Sequence, residues 1–209
     1  MHSPDKKKFF SDCVFEVCEE VYEPSEDTFL FAENLHVKAG TFALDMGTGI
    51  GILGITAAKQ GAEVVALDIN PHSIHCAKQN ARRNKVSEKM AFLQTDLFSG
   101  LCKTVKFDLI LFNSPYLPSE EGEDKTWLGR AWAGGASGRQ VIDKFITQAP
   151  GHLESAGEIL LLQSTLAGVE QTKKNFRAVG MKAEIVASRA LPFFETLVLL
   201  KASFIVERP

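Results

Sequence analysis

One stretch narrows the possible folds more than any other. Phe42 to Met46 is a short apolar run, and Asp45-Met46-Gly47-Thr48-Gly49-Ile50-Gly51 ends it with alternate glycines. A helix is expected from about Ile50 to Lys59. Strand, glycine turn and helix in that order open a doubly wound α/β sheet. Glycines at such a turn permit a tight bend and let a ligand lie against the backbone. Gly49 to Gly54 also satisfies the G-x-G-x-x-G expression of dinucleotide-binding turns. Alone, the match is weak, and the same residues also read as a close-packed strand–helix turn.

The rest of the chain continues the pattern. Strands are expected over Glu63 to Leu67, Met90 to Gln94, Phe107 to Phe112, Glu158 to Leu162, Lys182 to Ala187 and Thr196 to Phe204. Helices are expected from Pro71 to Asn84, Gly138 to Gln148 and Val169 to Val179, the first opened by a proline whose missing N–H costs nothing there. Phe107 to Phe112 is nearly all apolar, as a strand covered on both faces should be. Residues 113 to 137 form a long loop. The alternation predicts an α/β fold, a mostly parallel sheet with helices on both faces. The last two strands have no helix between them, which predicts an antiparallel last strand. Residues 1–36 precede this pattern as an N-terminal extension, and 37–209 form the main domain. Within the extension, Val14 to Val17 reads as a strand, Tyr22-Glu23-Pro24 as a turn, and Ser25 as the cap of a helix through Leu35.

Composition removes several classes. With 209 residues the chain can bury roughly 70% of its unfolded surface and needs no disulfide or metal to fold. No apolar run reaches the ~18 residues of a membrane helix, and Met1 to Lys8 is polar and basic with no signal-peptide core behind it. The net charge of −3 is a poor match to a nucleic-acid backbone, so no direct nucleic-acid contact is expected. Cys13, Cys18, Cys76 and Cys102 show no C-x-x-C spacing and read as free thiols in a reducing compartment, the cytoplasm. His72, His75 and Cys76 read as a solvated helix face, and no metal site is expected.

Two acids give the glycine turn a chemical meaning. Asp68 ends the second expected strand, where a carboxylate can accept both hydroxyls of a ribose. Asp96 follows the third, where it can accept from an adenine amino group. An acid before G-x-G-x-G, with acids after strands two and three, resembles the class I S-adenosylmethionine-dependent methyltransferases. The resemblance implies a Rossmann-like, mostly parallel seven-stranded sheet. It implies that Asp45 contacts the methionine moiety, that Gly47, Gly49 and Gly51 approach the cofactor, and that Asp68 and Asp96 bind ribose and adenine. A dinucleotide dehydrogenase is the competing reading, and it lacks a candidate hydride-transfer partner.

Asn113-Ser114-Pro115-Tyr116 follows the fourth strand and looks like the Asn-Pro-Pro-Tyr motif of amino-methyltransferases. An amide or aryl amine nitrogen is a weak nucleophile with two N–H groups. The Asn113 side-chain oxygen and the Ser114 carbonyl can accept both and orient the lone pair for in-line displacement. Tyr116 packs against the flat acceptor. Ser114 replaces the family's first proline, and Pro115 still holds residue 114 extended.

Three further segments narrow the family. Val21-Tyr22-Glu23-Pro24-Ser25-Glu26-Asp27-Thr28, Ala131-Trp132-Ala133-Gly134-Gly135 with Gly138-Arg139, and Ser188-Arg189 with Glu195-Thr196-Leu197 resemble the eukaryotic and archaeal HemK-like glutamine methyltransferases. By that resemblance the 1–36 extension contributes to the cofactor site through Thr28, and Asn113 joins the same site. The implied substrate is the glutamine of the Gly-Gly-Gln tip of a class 1 release factor. The implied partner is a small zinc-binding activator subunit on the edge of the third strand, at Met90, Ala91, Phe92 and Leu93. Alternatives are transfer to a nucleic-acid base, transfer to another protein side chain such as lysine, and a non-catalytic scaffold that retains the fold.

Overall fold

The computed structural model describes residues 6–205. The polar start Met1 to Asp5 lies outside them. The chain divides into two compact units, 1–100 and 101–209. Seven strands make up a mostly parallel sheet, as the alternation predicts.

The first unit supplies β3 (Phe42–Met46), β4 (Glu63–Asp68) and β5 (Met90–Gln94) in the order β5-β4-β3, all parallel. Helices α2 (Ile52–Lys59) and α3 (Pro71–Arg83) connect them. Leu44, Ile52, Ile55 and Leu67 are fully buried between strands and helices. Ahead of them lie an antiparallel hairpin, β1 (Lys6–Phe10) with β2 (Cys13–Val17), and helix α1 (Glu26–Glu33). β1 is not legible in the sequence because Lys6-Lys7-Lys8 reads as a solvated charge run. Those lysines are useful on an exposed edge: Lys6 and Lys8 both bridge Glu23 at 2.8 Å and hold its carboxyl down at about 2.

The extension is tied down by side-chain amides. Asn84 accepts from Val14 N and donates to Val14 O. Asn80, one helical turn earlier, accepts from Glu16 N and donates to Glu16 O and Ile50 O. The i,i+4 spacing on α3 thus matches the i,i+2 spacing on β2, and two amides replace a strand partner along its free edge. Cys18, just past β2, forms a disulfide with Cys76 of α3. This corrects the expectation of four free thiols. Only Cys13 and Cys102 are free. The pairing joins residues 58 apart, a separation that local spacing rules do not register.

The second unit supplies β6 (Phe107–Asn113), β7 (Leu153–Ser164), β8 (Met181–Ala190) and β9 (Thr196–Phe204) in the order β6-β7-β9-β8. β6 and β7 are parallel, and β9 runs antiparallel to both β7 and β8. Short helix α4 (Trp127–Arg130) interrupts the long loop, and α5 (Gln140–Gln148) and α6 (Val169–Ala178) complete the unit. Its core is aromatic: Phe107, Phe145 and Phe176 are fully buried, and Phe112 meets Phe145 at 4.5 Å between ring centroids.

Candidate active site

The glycine turn folds around Asp45. One carboxylate oxygen, Oδ2, accepts from the Thr48 hydroxyl at 2.6 Å and from Gly54 N at 2.9 Å. The other, Oδ1, is buried and has no hydrogen-bond partner among the described residues. Burial pushes the Asp45 carboxyl up to about 6, against the lowering pull of the Thr48 and Gly54 bonds, and the neighbouring Asp68 charge adds to the rise. Gly47, Gly49 and Gly51 all have positive φ, at 67°, 56° and 94°. At Gly51 a side chain is excluded twice, because an added Cβ would also lie 3.0 Å from Ile55 and 3.2 Å from Ala77. Nothing lies within 4 Å of the same position at Gly49, so the backbone there is open.

Asp68, at the end of β4, is locked onto this turn. Its Oδ2 accepts from Gly49 N and its Oδ1 from Asn70 N, both at 2.9 Å. Burial raises its carboxyl above the ordinary range, and the Asn70 and Gly49 N–H groups oppose the rise. The Ser73 hydroxyl and the Ile69 N–H also bond to it, so four donors gather on this one carboxylate. Thr95 N bonds Asp68 O at 2.9 Å and joins the end of β4 to the turn carrying exposed Asp96.

Asn70 is the residue that reading for motifs passes over. It caps α3, accepting from His72 N at 2.9 Å, and donates to Glu20 O at 2.7 Å. An asparagine directly before a helix-opening proline is the signal that could have found it. Asp27 belongs to the Tyr22 segment that the sequence singles out. It is buried, its Oδ1 accepts from the Thr28 N–H and hydroxyl, and the Tyr22 phenol bonds to it and to Ser25. Burial is the main cause that pushes the Tyr22 phenol up. Ser25 occupies the cap position of α1 but makes no side-chain cap bond. The Tyr22 segment is therefore a hydrogen-bonded cluster that presents Thr28 on α1, which packs against α2.

In the second unit, Asn113 is the last residue of β6 and pairs with Leu162 of β7. Ser114 is buried and fastens the turn, its hydroxyl reaching Leu162 O at 2.9 Å and its N–H the same oxygen at 3.4 Å. The family's proline offers neither donor. The loop then closes on itself: Leu117 N bonds Trp132 O at 3.1 Å, Gly134 N bonds Leu117 O at 2.8 Å, and Ser119 N bonds Gly135 O at 3.0 Å. Gly138 lies against the strand end. An added Cβ there would sit 2.3 Å from Tyr116 O, and its φ is +69°. Arg139 does not reach toward the tetrapeptide in any of its hydrogen bonds. Its guanidinium holds Asp143, Gly168 O, Thr172 and Ala167 O and so fixes the β7–α6 connection. Among the described residues no His/Cys/Asp/Glu group can hold a metal ion, and no helix is long and apolar enough to cross a membrane.

The glycine turn thus brings together an unpartnered buried carboxylate oxygen of Asp45, the hydrogen-bonded carboxylate of Asp68 and open backbone at Gly49. The methyltransferase small domain model matches residues 23–128. A Methanocaldococcus jannaschii protein named as a protein N5-glutamine methyltransferase is 41% identical over 182 residues, covering 86% of this chain and 90% of that one. The Homo sapiens methyltransferase HEMK2 is 35% identical over 195 residues, covering 87% and 89%. Among solved structures, a chain of the E. cuniculi Mtq2-Trm112 complex, described as responsible for the methylation of the eRF1 translation termination factor, superposes with a TM-score of 0.65 at 23% identity over 89% of this chain and 99% of that one. The Thermus thermophilus 16S rRNA N2 G1207 methyltransferase, solved with AdoMet and guanosine, gives 0.74 at 20% identity over 96% of this chain and 50% of that one. At those identities both structures speak for the fold alone.

Proposed function

The chain belongs to the HemK-like protein-glutamine N5-methyltransferases within the methyltransferase small domain family, and on that premise we propose that it methylates the glutamine of the Gly-Gly-Gln motif of a class 1 peptide chain release factor. S-adenosylmethionine supplies the electrophilic sulfonium methyl. Asp45 Oδ1 accepts from the cofactor's amino group, which returns a partner to a buried oxygen that otherwise has none. Asp68 takes the ribose hydroxyls, Asp96 the adenine amino group, and the backbone at Gly47, Gly49 and Gly51 lets the ligand lie close. Thr28 and the rest of the extension complete this site.

At the acceptor site Asn113 Oδ1 and the Ser114 carbonyl take the two N–H groups of the target amide. That turns the nitrogen lone pair toward the methyl, and Tyr116 packs on the amide plane. Positioning carries the rate, since an amide nitrogen with its N–H bonds held needs no strong base. The methylated nitrogen becomes acidic and loses its proton to water. The observation that carries the reading is the tetrapeptide at the end of β6, with Ser114 pinned to Leu162 so that Asn113 stands at the strand's last position.

The partner reading follows from the sheet edge. β5 is a terminal strand, with Ala91 and Leu93 exposed. An open edge of this kind accepts an added strand. A zinc-binding activator subunit pairing there is the proposed occupant, and the cytoplasm, where release factors act, is the proposed compartment. Mass spectrometry tests the reaction. Incubation with S-adenosylmethionine and release factor, with and without activator, is expected to add one methyl to the Gly-Gly-Gln glutamine. Asn113→Ala should reduce transfer at least about a hundredfold, the scale for losing a positioned polar contact, with cofactor affinity within a few fold. Methyl found on nucleic acid or lysine instead, with the glutamine unmodified, would replace the substrate.

A further inference from the structure

The β8–β9 connection has a side-chain arrangement that the reaction does not use. Phe193 and Phe194 occupy its tip with relative exposures of 95% and 104%. Both have left-handed backbone, φ 61° and 64°, a region that bulky residues rarely adopt and glycine adopts freely. The turn is nevertheless defined: Leu191 N bonds Glu195 O at 2.8 Å, and Thr196 N bonds the Thr165 hydroxyl at 3.0 Å. The second bond brings the base of the hairpin onto residues 165–167, where Leu166 is 54% exposed. Two phenylalanines on a fixed turn, and a leucine on the neighbouring β7–α6 connection, thus stand in solvent.

Strand register says where that turn lies. Asn113 is level with Leu162 of β7, and Leu162 is level with Leu199 of β9. β6 and β7 run toward this edge of the sheet and β9 runs from it, so the turn projects from the edge that carries the tetrapeptide. Phe194 is five residues before Leu199. At about 3.4 Å per residue along the strand and about 4.8 Å between strands, the tip stands roughly 20 Å from Asn113. That is too far to touch the reacting amide. It is inside the footprint of a protein laid across the edge, since about 800 Å² per partner spans roughly 32 Å.

We infer that Phe193 and Phe194, with Leu166, form a docking tip for the folded protein that carries the target glutamine. The inference rests on the methyl-acceptor reading above. The occupant is a protein rather than a second copy of this chain on grounds of area. Two aromatic side chains bury about 300–500 Å² together, short of the roughly 800 Å² per partner of a stable interface. A transient enzyme–substrate contact needs only a few such anchors, and aromatic anchors carry much of the energy in contacts of this kind. The tip is a specificity element, acting through encounter with the substrate and not through its amide.

Phe193→Gly/Phe194→Gly tests this, because glycine keeps the left-handed turn while removing both rings; an unchanged unfolding midpoint checks the fold. Two substrates are compared: intact class 1 release factor and a short synthetic peptide containing Gly-Gly-Gln. For intact factor KM is expected to rise at least tenfold with kcat little changed, and kcat/KM for the peptide is expected to stay within twofold. A KM for intact factor within twofold of the parent enzyme overturns the docking role. Equal losses on peptide and intact factor also overturn it, since the tip would then shape the site itself. Sedimentation of the parent enzyme as a dimer that the variant dissolves would reassign the tip to self-association. No transfer by the parent enzyme to either substrate would instead overturn the acceptor reading, and the docking role with it.

Discussion

Asp45 shows how a single residue can carry a cost in the free protein and a use in the loaded one. Its carboxyl lies near 6 in the folded chain against an ordinary 3.8. Below about pH 4 it is protonated in folded and unfolded chains alike and contributes no pH-dependent difference. Between about 4 and 6 the unfolded chain ionises first, so the stability owed to this group falls as pH rises, and it stays lowered above 6. At about 1.4 kcal/mol per pKa unit the fall totals about 3 kcal/mol. Asp45→Asn removes the titration. The stability difference between variant and parent, measured by urea unfolding, should therefore move by about 3 kcal/mol in the variant's favour from pH 3 to pH 7. The same variant should bind S-adenosylmethionine at least tenfold more weakly, the scale of a lost charge-assisted hydrogen bond. Gly138 sets a different kind of limit. Gly138→Ala would place a methyl 2.3 Å from the Tyr116 carbonyl in a left-handed backbone. The strand end must shift, and a displacement of about 1 Å costs on the order of a hundredfold in rate. Turnover should fall by that much with cofactor affinity unchanged; full activity would show that the tetrapeptide tolerates movement. Asp45 was legible from its place before the glycines. The role of Gly138 was not, because its contact lies 22 residues back in the chain and only packing reveals it.

Among elements, what was legible follows from how local the signal is. β3, β5 and β9 fall where the apolar runs put them, since a buried strand announces itself by composition over five to nine residues. β7 begins five residues before its expected start. Ser155-Ala156-Gly157 carries little strand propensity, and the register with β6 slips across that stretch. The extension was legible as a strand and a helix but not as something fastened. Its anchors, Asn80, Asn84 and the Cys18–Cys76 disulfide, join positions 58 to 70 apart. Asn80→Ala leaves Glu16 N, Glu16 O and Ile50 O without their partner. At about 1 kcal/mol or more for each stranded group, a loss of about 3 kcal/mol is expected in urea unfolding. A loss under 1 kcal/mol would mean that water replaces the amide. Reduction of the disulfide should lower stability as well, since closing a loop of 58 residues removes about 4 kcal/mol of unfolded-chain entropy at most. Double replacement of Cys18 and Cys76 by serine should abolish the dependence on reductant.

For the whole molecule, the residues assigned to the cofactor other than Asn113 lie in 1–100, and the tetrapeptide lies in 101–209. Saturation with S-adenosylhomocysteine should therefore leave an uneven mark. At a concentration a hundred times the dissociation constant the ligand stabilises its site by about 2.7 kcal/mol. Amide hydrogen exchange should slow by about a hundredfold at residues 47–54 and 68–73 and stay at its free rate around 191–195. Protection confined to the second unit would relocate the cofactor. The order of the motifs was legible in the sequence, because glycine turn, acids and tetrapeptide follow one another along the chain. The outward phenylalanines were not, since apolar residues beside a strand read as buried. A last consequence belongs to the loop between the tetrapeptide and α5. Residues 117–119 and 132–135 are bonded to each other, so both ends of the excursion over 120–131 are fixed whatever lies between. Doubling the length of such a loop costs only about 0.6 kcal/mol in closure entropy. The excursion is thus a permissive insertion point: a reporter peptide spliced in there should ride on a working enzyme, and over evolutionary time its length can drift while Asn113 to Tyr116 stay in place.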